Sequence, residues 1–222
     1  MTASRTRHLV ILAMMAAMAC LSVFFIRVPV MPGAPFLTYD PKDVIIVIGG
    51  FMYGPLAAFT LAVITALVEM VTVSETGFWG MLMNVVSSSA FAVPAAAIYK
   101  FRRTLPGAVI ALVVGVSLVV PVMLLMNYLI VPIFMPFVER ADVVGMLIPI
   151  FLPFNAIKYA LNASVVFIVY KPIVTALMAS GLYRPLSEGK PGRIHVGVML
   201  TAAAILAGLL LVIVFLHRGG ES

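Results

Sequence analysis

A single cysteine, Cys20, is all the thiol this sequence has. It rules out an internal disulfide and leaves no thiol cluster for a metal. Charge is scarce too, at 10% of the 222 residues. The three histidines, His8, His195 and His217, lie apart near predicted helix ends and read as interfacial residues, not ligands. Signatures of catalysis are missing. The stretch "EGKPG" has a proline after its lysine and lacks the upstream glycine of a P-loop, which excludes ATP hydrolysis of that kind. Neither HExxH nor GxSxG nor a paired-aspartate motif occurs, so no nucleophile is evidently activated and the chain does not read as an enzyme. There is also no internal repeat, no low-complexity tract and no hydrophilic stretch long enough for a soluble domain.

Apolar residues fill the space instead. They make up 64% of the chain, and the mean hydropathy is +1.19. A soluble domain of this length has no way to keep so much apolar surface from water, which points to an integral membrane protein. The net charge of +6 does not point to nucleic acid, because the basic residues sit in short loops between apolar runs.

Breaks in hydropathy divide the chain into seven runs: Leu9 to Ile26, Val44 to Tyr53, Leu56 to Val73, Phe78 to Tyr99, Ala108 to Ile133, Val143 to Tyr170, and Ile194 to Leu216. A helix needs about 20 residues to cross the hydrocarbon, and the second run falls short. It must tilt, borrow loop residues or be covered by neighbouring protein. The sixth can continue in amphipathic form past Pro172. With the N-terminus in the cytoplasm, nine basic loop residues fall inside and four (Arg27, Lys42, Arg140, Arg218) outside, in accord with the positive-inside rule. The start "RTRHLVILAMMAAMAC" also has the shape of a signal peptide, with small residues at Ala17 and Ala19. Its apolar run continues well past that point, which favours a retained helix.

Two charges fall inside these runs, Glu69 and Lys158. Each costs on the order of 2.5–3.5 kcal/mol at a helix centre, so each should face protein or a cavity. Lys158 precedes Lys171 by 13 residues and Glu69 follows Pro55 by 14. These offsets set them roughly 20 Å and 21 Å from the cytoplasmic ends of their helices. Equal depth and opposite sign predict a Glu69–Lys158 pair. Asn84, Asn127 and Asn155 fall in the same outer half, and Asn155, Lys158 and Asn162 follow one helical stripe. Two readings fit: asparagines as packing glue between helices, or a polar ligand pocket. The shared depth of residues from four helices favours the pocket. Amides and an ammonium suit a planar heterocycle with imide and carbonyl edges. Phe51, Tyr53, Phe78, Trp79, Tyr128, Phe154 and Tyr159 are candidates to pack on its face. In the first run, Ala13/Ala17 and Ala16/Cys20 form i, i+4 pairs of small residues that admit a neighbouring helix. Internal packing is the ordinary use of that pattern.

The segments "FLTYDPKDVIIVIGGFMYGPLAA", "EMVTVSETGFWGMLMNVVSSSAF", "NYLIVPIFMP" and "LPFNAIKYALNASVVFIVYKPIVTAL" carry a resemblance. From about residue 9 to residue 182 the chain resembles the riboflavin-specific S components (the RibU family) of energy-coupling-factor, or ECF, vitamin importers. The resemblance implies an all-α integral membrane fold of six transmembrane helices over residues 1–182. A cytoplasmic connector (183–193) and an additional C-terminal transmembrane helix (194–217) depart from that pattern. It also implies a multi-pass protein of the cell membrane that binds riboflavin as ligand, with no cofactor and no metal. Its partners would be a transmembrane T protein and two ATPase subunits.

By this likeness Asn127, Asn155 and Lys158 hydrogen-bond the flavin ring, and Leu37, Thr38, Tyr39 and Asp40 cover or line the site. Glu69 and Asn84 fit family motifs, and Ala13 and Ala17 become a surface for the T protein. The alternatives are an S component for another vitamin or flavin analogue, or a stand-alone proton-coupled transporter using Glu69 and Lys158.

Overall fold

The computed structural model describes residues 2–181, apart from positions 32, 33, 35 and 75, with side chains from residue 6 onward. The connector 183–193, the expected helix 194–217, His195 and His217 lie outside the described residues.

Helices follow the apolar runs closely. α1 is Thr2–Phe25, α2 Lys42–Tyr53, α3 Pro55–Thr72, α4 Gly77–Phe101 and α5 Leu105–Phe134. The sixth span consists of α6 (Arg140–Met146), one π turn (Leu147–Phe151) and α7 (Leu152–Ala179), which continues past Pro172. Pro149 and Pro153 lack the N–H an α-ladder needs, and the ladder widens to π spacing around them. Between α1 and α2, Val28–Pro29 (β1) pairs antiparallel with Thr38–Tyr39 (β2), Val28 opposite Tyr39.

Among the described residues, five helical stretches are long and apolar enough to cross a membrane, counting Arg140–Ala179 as one. α2 is the exception. Its 12 residues rise only about 18 Å. Ten of them are buried, so neighbouring helices, not lipid, surround it. Of the ways to accommodate a short run, this is the one the fold uses. Gly50 makes the close approach possible: a Cβ there would stand 2.9 Å from Ala58 Cβ on α3 and from Ala96 Cβ on α4. Gly54, at φ 97°, supplies the left-handed turn that sends the chain from α2 directly into α3.

The helices alternate in direction. Arg7 Nη1 donates to Gly181 O at 2.9 Å and His8 packs edge-on against Tyr53, joining the start of α1 to the ends of α7 and α2. At that end Phe51 stacks on Tyr99 with centroids 4.2 Å apart, and the Tyr99 and Tyr170 hydroxyls hydrogen-bond at 2.7 Å. Around the bundle Leu9, Val10, Met14, Met18, Leu21, Leu56 and Val71 point outward, as lipid-facing residues do. Ala13 and Ala17 are exposed among them, whereas Ala16 is buried. The two small-residue pairs of α1 therefore serve different sides.

Candidate binding site

At the opposite end from the Tyr99–Tyr170 contact, the helices part around a cavity of about 140 Å³. Its roof is the β1–β2 segment, which contributes Phe36, Leu37, Thr38 and Asp40. Val23 and Arg27 come from the end of α1 and the residues just after it, Lys42 from α2 and Glu69 from α3. Asn84 and Ser87 are supplied by α4, Asn127 and Met123 by α5, and Phe154, Asn155, Lys158 and Tyr159 by α7.

An unbroken polar chain runs along the wall. Lys158 Nζ donates to Asp40 Oδ2 at 2.8 Å, and Asp40 Oδ1 lies 3.7 Å from Lys42 Nζ. Lys42 Nζ donates to Glu69 Oε2 at 2.7 Å, and Asn84 Nδ2 donates to the same oxygen at 2.7 Å. Asp40, Lys42, Glu69 and Lys158 are each at least nine-tenths buried. Charges so placed are tolerable only as partners, because an isolated ion in low dielectric loses several kcal/mol of solvation.

The predicted Glu69–Lys158 pair does not form. Glu69 is taken by Lys42 and Lys158 by Asp40. The reason lies in the segment before α2. It folds back over the cavity instead of standing in solvent, and it carries Asp40, with Lys42 at the first position of α2, down between the two membrane charges. Lys42, expected as an outer loop charge, is instead the buried first residue of α2. The motif that could have revealed this is "PKD" before an apolar run. An acid in the first turn after proline marks a helix start, and α2 begins two residues earlier than hydropathy put it. Asp43 belongs to the interior as well. It accepts from Ser88 Oγ and, at 3.5 Å, from Asn162 Nδ2.

Of the other expected site residues, Leu37, Thr38, Asn84, Asn127 and Asn155 all line the cavity. Asn127 Nδ2 donates to Met123 O and Asn155 Nδ2 to Phe151 O, each four residues back. One N–H of each amide is thus spent on its own helix, and the remaining capacity is available to a ligand. Tyr39 does not line the cavity. It packs on the cluster around Val143, Phe151 and Phe154 and braces the roof from behind. Burial, then the adjacent Asp40 carboxylate, push its phenol up to about 12. Among the candidate aromatics only Phe154 and Tyr159 reach the cavity. Phe51 and Tyr53 are at the other end, and Phe78 lies exposed against Trp79.

Arg27 was missed as well. Its Nε donates to Thr38 Oγ1 at 3.2 Å and its Nη1 to Val73 O at 2.8 Å, fastening the roof to the end of α3.

Residues 7–170 match the family described as ECF transporter, substrate-specific component. The chain belongs to that family. This substrate-specific component is 26% identical over 178 residues to the riboflavin transporter RibU of Staphylococcus aureus (strain TCH60), covering 78% of the chain and 93% of that protein. Identity to the riboflavin transporter FmnP of Bacillus subtilis (strain 168) is 28% over 185 residues, covering 76% and 94%. A solved S component of a bacterial ECF transporter superposes with a TM-score of 0.68 at 24% identity, covering 78% of this substrate-specific component and 98% of that chain. The likeness supports the all-α membrane fold, with α2 as the short member of six. Family membership gives the substrate-specific component a role in transport.

Proposed function

We propose that this chain is the riboflavin-binding, substrate-specificity subunit of an ECF-type importer. The observation that carries the reading is the roofed cavity, with three polar side chains from α5 and α7 (Asn127, Asn155 and Lys158) beside Phe154 and Tyr159. This set matches the edge and face of a flavin ring, and both curated relatives named above are riboflavin transporters. The subunit performs no chemistry. Its N-terminus lies in the cytoplasm of a cell whose plasma membrane it crosses, and the cavity opens outward. A T protein and two ATPase subunits complete the importer, with the exposed Ala13/Ala17 surface of α1 as the docking face for the T protein. Uptake follows from unequal affinity for riboflavin in outward and inward states, since a ligand or partner shifts only what it binds unequally.

The test is a titration of riboflavin fluorescence with the purified protein in detergent. Saturable quenching at micromolar or lower riboflavin is expected. A linear response, or equal competition by thiamine, biotin or folate, overturns the assignment.

A further inference from the structure

Among the described residues, α1 packs on α2 and α3, while its contact with α7 is slight. One whole side of α1 is left over. It presents Val10, Met14, Ala17, Leu21 and Phe24, all exposed and recurring at steps of four and three. That spacing draws a single stripe along a helix and is the spacing used where two helices run side by side. Lipid alone could cover the stripe, as it covers the rest of the bundle. The position and the sequence of a later part of the chain offer a better match.

Position comes first. Gly181 O accepts from Arg7 Nη1 at 2.9 Å, so the chain leaves α7 beside the first turns of α1. Roughly 12 residues then lead to Ile194, a coil spanning about 19 Å, and packed helices stand only about 8–10 Å apart. The apolar run from Ile194 to Leu216 would rise about 34 Å as a helix, enough to cross the hydrocarbon.

Fit comes second. Gly197, Thr201, Ala204 and Gly208 recur at steps of four, three and four, which puts small side chains on one side of a helix. In lipid, apolar side chains gain nothing by leaving the acyl tails. Helices associate where small residues let them close into van der Waals contact. Met14 and Leu21 of α1 against the small side of the run meet that condition, and no charge interrupts either stripe. Both runs start from the same membrane side, one at Leu9 and the other at Ile194. Equal rise per residue then sets Ala17 level with Ala202, between Thr201 and Ala204.

Resting on the reading of α1 as the T-protein face, we propose that residues 194–216 lie parallel to α1 on this face and shield it until displaced. A tether this short raises the concentration of the segment at α1 to the order of millimolar, so a partner docks only by outcompeting it.

The placement is tested by cysteine cross-linking of the full chain in membranes, with Cys20→Ala removing the native thiol. Ala17→Cys combined with Ala204→Cys, and separately with Thr201→Cys, should form an intramolecular disulfide when oxidised with copper phenanthroline. Val113 is exposed on α5 at the same height as Ala17. Val113→Cys with Ala204→Cys should therefore cross-link at least about tenfold less, since the geometry forbids the encounter. Equal yields, no cross-link from Ala17→Cys to either partner, or cross-links only between two chains each overturn the placement. Thermal melting reports whether the variants fold. Should Ala17→Cys not fold, Met14→Cys with Gly197→Cys makes the same comparison.

Shielding is read on wild-type α1. Ala204→Leu with Gly208→Leu fills the small side of the run and leaves the docking face untouched. Capture of the T protein with its two ATPase subunits should rise about three- to tenfold, the worth of one close helix contact in lipid. Unchanged or reduced capture overturns shielding. If neither wild type nor variant captures the T protein, the reading of α1 as its face fails and shielding with it. The cross-link needs neither partner nor riboflavin, and it still decides the placement.

Discussion

The two halves of the bundle use their buried positions for opposite purposes. Around Gly50, Ala58 and Ala96 the helices close on one another until no room is left for a methyl group, and Phe51, Tyr99 and Tyr170 seal the end. Around Asp40, Lys42, Glu69 and Lys158 the same helices stand apart and bury four charges beside a cavity. The difference teaches where stability and function separate. In the packed half the Tyr99–Tyr170 hydroxyl pair sits among apolar contacts. The open half is satisfied only when each charge has a partner.

Breaking the open half should have the largest effect. Lys158→Met leaves Asp40 without its nearest cation, and removing one member of a buried pair costs about 3–5 kcal/mol. Riboflavin affinity should fall at least about a hundredfold, together with a lower melting temperature. Asp40→Asn should produce a similar loss, and the double variant should be far from additive, because both changes cut one contact. Additive losses in a binding cycle would show that Lys158 and Asp40 act separately.

The packed half gives the next effect. Gly50→Val forces a branched side chain against Ala58 and Ala96 and should destabilise the protein by about 1–3 kcal/mol. Folded molecules should keep their riboflavin affinity, since Gly50 is remote from the cavity. Differential scanning fluorimetry alongside titration checks both statements, and a selective loss of affinity would erase the division between halves. Tyr99→Phe removes the hydroxyl bond to Tyr170 while keeping the stack on Phe51. It should cost about 0.5–1.5 kcal/mol.

On the surface, Ala13→Leu with Ala17→Leu should change stability by less than about 0.5 kcal/mol. Riboflavin binding should persist, while co-purification with the T protein and the ATPase subunits is lost. Retained complex would move the docking face elsewhere.

Much of this was legible in advance for a physical reason. Long apolar runs have one stable form in lipid, so helix positions followed from hydropathy to within a few residues at most boundaries. Glu69, Asn84, Asn127, Asn155 and Lys158 could be placed at one depth because helical rise converts residue number into distance. The pairing among them was not legible. Depth sets height but not azimuth, so two charges at one level need not touch. Lys42 escaped as a site residue, and so did the pairing of Asp40 with Lys158, because polar residues flanking proline read as loop. Arg27 escaped for the same reason, since its role depends on Thr38 and Val73, which are distant in sequence.

By itself, then, the sequence determined a multi-span helical membrane protein with a few expensive polar groups gathered toward one end of its helices. Their types, amide and ammonium beside carboxylate, set the kind of ligand they suit. Only the tertiary structure decided that Lys42 belongs to Glu69 and Asp40 to Lys158. Hydropathy acts on each residue alone, whereas an ion pair forms between whichever opposite charges the packed helices and the roof bring within 3 Å.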